Sequence, residues 1–197
     1  MIAPEKTIIN AGEFMRISQR PEYEGRKLEL VYGVIVEEKG VDGMAGGAGG
    51  KHGESTVEIT GLLRDFVKPR KLGRLTGAET CYRLHVNPDG KDLVRCPDVG
   101  FVVMDRAPEP FDENYIPFAP DLAVEVLSPG NDPSDMHDKA REYLQFGTRL
   151  VWLIDPAART VMVYTPTGTR LLNAGDTLDG GDVLPGFGVA VREIFPV

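Results

Sequence analysis

The sequence predicts a mixed α/β fold in one domain over residues 1–197, a central mixed β-sheet flanked by helices. Three observations carry this expectation. The segments DLAVEVLS (121–128) and RLVWLID (149–155) are nearly continuous apolar runs, as in strands buried on both faces. Between them, residues 133–146 carry apolar side chains at helical spacing. The chain has 197 residues, 42% hydrophobic and 26% charged, and shows neither an internal repeat nor a linker.

In chain order, AGEFMRISQ (11–19) predicts a short helix. KLELVYGVIVEE (27–38) alternates as two short strands or one strand bent at Gly33. The glycine-dense stretch 40–50 predicts a loop, and His52–Val67 a helix stopped by Pro69. ETCYRLHV (79–86) and LVRCPDVGFVVM (93–104) read as strands joined by a turn at NPDG (87–90), followed by a Pro-rich loop to Pro120. Gly147 closes the 133–146 helix, and 149–155 and 159–165 form two further strands.

No apolar run approaches a membrane span, and the first residues lack a basic-then-apolar leader, so a cytoplasmic location is expected. A net charge of −8 disfavours a surface that is basic throughout, but leaves room for a local basic patch. Cys81 and Cys96 form no CxxC pair and are expected to be reduced and buried.

Glu125 is the most informative residue. It interrupts the apolar strand 122–127, and a carboxylate there must be paired, protonated or bound to a cation. A structural ion pair is the plain alternative. Asp98 opens another strand just after a proline, where it is either turn punctuation or a second acid converging on the first. Two such carboxylates suit a hard, oxygen-seeking cation such as Mg²⁺. Lys139 falls on the apolar arc of its helix, between Phe146 and Tyr143, and so points toward the sheet, with Asp135 four residues earlier as a possible partner.

These residues, with KLELVYGVI, the His52 helix start, ETCYRL, CPDVGFV, PDLAVEVLSPG, the Asp135–Lys139–Tyr143 spacing and RLVWLIDPAARTVMVY, resemble the Uma-type family of restriction endonucleases over roughly residues 25–165. That resemblance implies the restriction-endonuclease-like PD-(D/E)XK nuclease fold. Asp98 takes the place of the PD aspartate and Glu125 that of the second acid. The motif's lysine would fall at 127, where this chain has Leu127, so the resemblance points to Lys139 on the following helix. Glu29 matches a carboxylate of the early strand.

The implied activity is metal-dependent hydrolysis of DNA phosphodiester bonds. Asp98 and Glu125 would hold Mg²⁺, or Mn²⁺ in its place, while Lys139 orients or deprotonates the water or stabilises charge. Tyr143, one turn on, is placed to bond a carboxylate or the phosphate, or else is a core aromatic. The alternative is a module that keeps the fold without activity. A homodimer is expected by analogy, since cutting both strands of a duplex takes two sites. Strands 149–155 and 159–165 would extend the sheet or form that interface.

The basic run KPRKLGR (68–74), with Lys68, Arg70 and Lys71, is a candidate DNA contact or a solvated helix exit. The glycine loop with Lys51 and His52 is a candidate lid, and His52 a candidate substrate contact. The same loop fails as a phosphate-binding P-loop, because Ala45 replaces its first glycine and His52 the metal-binding hydroxyl residue.

Overall fold

The structure, a computed structural model, describes residues 8–38, 49–111 and 113–196. The lid expectation for the glycine loop lies largely outside the described residues.

Helix α1 (Ala11–Ser18) starts at an Asn10–Glu13 capping box, two side chains that satisfy each other's backbone N–H groups. Strands β1 (Leu28–Val31) and β2 (Val34–Glu37) form a hairpin. Tyr32 and Gly33, both at positive φ, make its two-residue turn, so 27–38 is two strands rather than one bent strand. Helix α2 (Gly50–Arg70) runs through Pro69 instead of stopping before it. A proline in the last turn removes only one hydrogen bond, and the helix ends at Lys71, whose left-handed backbone returns its N–H to Val67 and Lys68.

Strand β3 (Gly73–Thr76) follows within the basic run, where no strand was expected. Gly73 is required there, because a Cβ would lie 2.1 Å from the Val102 carbonyl oxygen. The 93–104 segment divides into β5 (Leu93–Arg95) and β6 (Val99–Val103), which belong to different sheets. With β4 (Tyr82–His85), the hairpin and β5 build a four-stranded antiparallel sheet in the order β2-β1-β5-β4.

The larger sheet has the order β10-β9-β8-β7-β6-β3. It comprises β7 (Leu122–Val126), β8 (Leu150–Asp155), β9 (Thr160–Thr165) and β10 (Gly168–Leu172) as well as β6 and β3. Only β7 and β8 are parallel, joined through helix α3 (Pro133–Gln145), so the sheet is mixed as expected. Strands β8 and β9 both lie within this sheet. Strands β11 (Thr177–Asp179) and β12 (Gly188–Ala190) pair separately near the C-terminus.

Period-two alternation along β7 sorts the core. Leu122, Val124 and Val126 pack with Ile59, Leu63 and Val67 of α2 and with Trp152. Ala123 faces the other way, into a cluster with Met136, Ala140 and Tyr143 of α3. Glu125 shares that second face. The cysteines are not reduced: Cys81 and Cys96 form a disulfide. Tyr82 pairs with Arg95 across β4 and β5, so the next residues outward face each other with Cα atoms 4.1 Å apart.

Among the described residues no helix is long and apolar enough to cross a membrane.

Candidate nuclease site

The two sheets meet where the chain passes from β5 to β6, and Asp98 stands at that crossing. It is buried, and both of its oxygens are occupied. Oδ2 accepts the Val126 N–H at 2.8 Å, which fixes Asp98 beside the end of β7, and lies 3.2 Å from His52 Nε2 near the start of α2. Oδ1 accepts from Lys27 Nζ at 2.9 Å. His52, a candidate phosphate contact, therefore orients an acid in this structure.

Glu125 and Glu29 lie on strands of the two sheets, and Lys139 bridges them. Its Nζ is 2.9 Å from Glu125 Oε1 and 3.0 Å from Glu29 Oε1. Tyr143 donates to the same Glu125 oxygen at 2.8 Å, so it is at once a core aromatic and a ligand of the acid. Lys139 pairs with these acids and not with Asp135. Glu29 also accepts from Arg95 at 2.7 Å and from the Cys96 N–H at 2.9 Å. Arg95 in turn holds Glu142 of α3.

This network sorts the acids by ionisation. Burial raises the Glu29 carboxyl, but Lys139, Arg95 and the Cys96 N–H outweigh it and bring it down to about 2. Asp98 is likewise driven well below the ordinary range against its burial, by His52 and Lys27. Glu125 goes the other way. Burial lifts it to about 7, against the pull of Lys139 and Lys27, with Asp98 adding repulsion. Lys139 is fully buried, yet Glu125 and Glu29 more than offset its desolvation and hold it as an ammonium.

Sequence reasoning did not single out Lys27, Glu38, Arg95 or Glu142. The Lys27 ammonium lies 2.9 Å from Asp98 and 2.7 Å from Glu38 Oε2, and it feels the Glu125 charge as well. Of these, Arg95 carries a signal legible in the sequence: a charged residue at a buried position of the otherwise apolar strand β5.

The basic run lies elsewhere. It begins at the far end of α2 from His52, about 24 Å away at 1.5 Å per residue. Lys68 and Lys71 are exposed there, and Arg70 stacks on Phe66 and donates to its carbonyl. The structure does not bring Lys68, Arg70 or Lys71 to the acids.

Among the described residues, no three His, Cys, Asp or Glu side chains close on one point as a metal cage. The donor chemistry still suits a hard ion that keeps most of its waters. Among the described residues, Glu125 Oε2 is buried without a hydrogen-bond partner, the kind of orphaned oxygen a cation would satisfy. A cleft of about 600 Å³ opens beside this cluster, lined by Glu29, Glu38, Lys139 and Glu142 among others.

The fold is a mixed α/β architecture, a large mixed sheet flanked by helices. The family model described as "Uma2: Putative restriction endonuclease" matches residues 12–192, and the chain belongs to that family. Among solved structures the chain is similar to a putative nuclease of the DUF820 group from Anabaena variabilis ATCC 29413. The TM-score is 0.75 at 24% identity, covering 95% of this chain and 97% of that one, a likeness of fold. Comparison with curated proteins gives no match.

Proposed function

We propose that this protein is a metal-dependent endonuclease that hydrolyses DNA phosphodiester bonds, with Asp98 and Glu125 holding Mg²⁺ or Mn²⁺ and Lys139 assisting. The observation that carries this reading is the division of labour on Glu125. Its Oε1 is held by Lys139 and Tyr143, while the buried Oε2 has no hydrogen-bond partner among the described residues. The Val126 N–H fixes Asp98 beside it. A divalent ion held by these acids would acidify a bound water and neutralise charge on the phosphate.

The residues of the chain supply the rest. Lys139 stays an ammonium between two carboxylates, so it stabilises developing negative charge or orients the water rather than deprotonating it. Tyr143 and Glu29 position that ammonium and its acid. The acidic cleft repels a bare phosphate, so substrate entry depends on the cation. Lys68, Arg70 and Lys71 would contact DNA only as a second, remote patch. Cleavage of both strands would use a homodimer, by analogy with enzymes of this fold.

The test is nicking of plasmid DNA in Mg²⁺ or Mn²⁺. Asp98→Asn and Glu125→Gln should each lower the rate about a hundredfold or more. Wild-type protein that leaves DNA intact in both metals and binds neither by calorimetry would sink the reading. A second reading, a module that kept the fold without activity, is favoured by one observation: the chain's own Lys27 and Lys139 already pair Asp98 and Glu125.

A further inference from the structure

We infer that Lys27 is a tethered counter-ion that competes with the divalent ion for Asp98, and so sets the metal affinity of the site. The inference rests on the reading of Asp98 and Glu125 as a cation seat, and goes beyond it by assigning a role to Lys27.

The accounting at Asp98 leaves little choice. Oδ2 already accepts the Val126 N–H at 2.8 Å and faces His52 Nε2 at 3.2 Å, contacts that fix the aspartate beside β7. Among the described residues, Oδ1 has one partner, the Lys27 ammonium at 2.9 Å. An ion that takes an oxygen of Asp98 without breaking its backbone anchor must take Oδ1. A dication and an ammonium on one oxygen repel each other in a poorly solvated site. Lys27 must therefore withdraw when the ion binds.

Lys27 is built to withdraw and Lys139 is not. The Lys27 side chain is 22% exposed and Lys139 only 5%. Lys27 precedes β1 and lines a separate cavity with Phe14 and Tyr23, with Glu38 Oε2 at 2.7 Å as a second anchor. Lys139 is enclosed between Glu29 and Glu125 under α3. Without metal, Lys27 keeps Asp98, Glu38 and Glu125 from repelling one another. With metal, that role passes to the ion.

Calorimetric titration of metal-stripped protein with Mn²⁺ tests this. Lys27→Met should bind Mn²⁺ about tenfold or more tightly than wild type, a gain of about 1.4 kcal/mol per factor of ten. Ordinary binding by wild type, with equal or weaker binding by the variant, overturns the competition and leaves the seat standing. No binding by either protein overturns both. Wild-type protein provides a readout that does not depend on the variant folding. Acetylation of Lys27 by acetic anhydride, followed by mass spectrometry, should run several-fold faster with saturating Mn²⁺ than without it. An unchanged or slower rate overturns the proposal.

Discussion

On the α2 side of the large sheet, Leu122, Val124 and Val126 of β7 meet Ile59, Leu63 and Val67 in a cluster of apolar side chains. On the α3 side, the same strand presents Ala123 and Glu125 to a layer that holds Lys139 and Tyr143. Both faces are buried, but they are held together differently. The first gains from area removed from water and tolerates any side chain of suitable shape. The second gains little net energy from its charges, because desolvation offsets most of their attraction. What it provides is a fixed arrangement of acids and ammoniums, which must be complete to be tolerated.

Each face can be disrupted on its own. Trp152→Ala on the apolar face removes a fully buried indole stacked near Phe187 and should cost about 3–5 kcal/mol in urea unfolding. On the ionic face, Lys139→Met keeps much of the volume yet leaves Glu125 without its ammonium partner, while Glu29 keeps Arg95 and the Cys96 N–H, and should cost about 3 kcal/mol. Adding Glu125→Gln to that variant should recover much of the loss. If the double variant is no more stable than Lys139→Met alone, the cost was lost packing and the two faces are alike.

The pH dependence of stability sharpens the contrast further. Glu29 and Asp98 have lowered pKa values, so their contribution is present above the ordinary carboxylate range and is lost as pH falls toward 2. Glu125, raised to about 7, has the opposite sign: its contribution is present below its unfolded value near 4.5 and is lost as pH rises through 7. Wild type should therefore lose stability relative to Glu125→Gln between pH 5 and pH 8, as read from unfolding midpoints. A constant difference across that range would show that the Glu125 pKa is not raised. The smallest effect belongs to Arg70→Ala, which should change stability by no more than about 0.5 kcal/mol. If Arg70 meets a phosphate, the same change lowers the salt dependence of DNA binding by about one contact.

Much of this was legible in the sequence. The buried strands and α3 follow from apolar periodicity, and Glu125 announces itself as a carboxylate in the middle of such a strand. Lys139 could be placed on the inward arc of its helix by angle alone. The partition of residues 93–104 between two sheets was not legible, because nothing in LVRCPDVGFVV marks a change of sheet except the proline. The disulfide was missed for a related reason. Cross-strand register, not sequence spacing, sets Cys81 opposite Cys96. Lys27 was passed over because a lysine at a strand entrance reads as solvated surface until the acids that surround it are placed.

Helix α2 also acts as a ruler. His52 touches the acid crossing at one end, and Lys68 begins the cationic stretch at the other. At 3.4 Å per step, a duplex that engaged both ends along the helix would need about seven base pairs. Shorter oligonucleotides could occupy one end or the other but never tie the two together, so length alone would decide whether the distant cations take part.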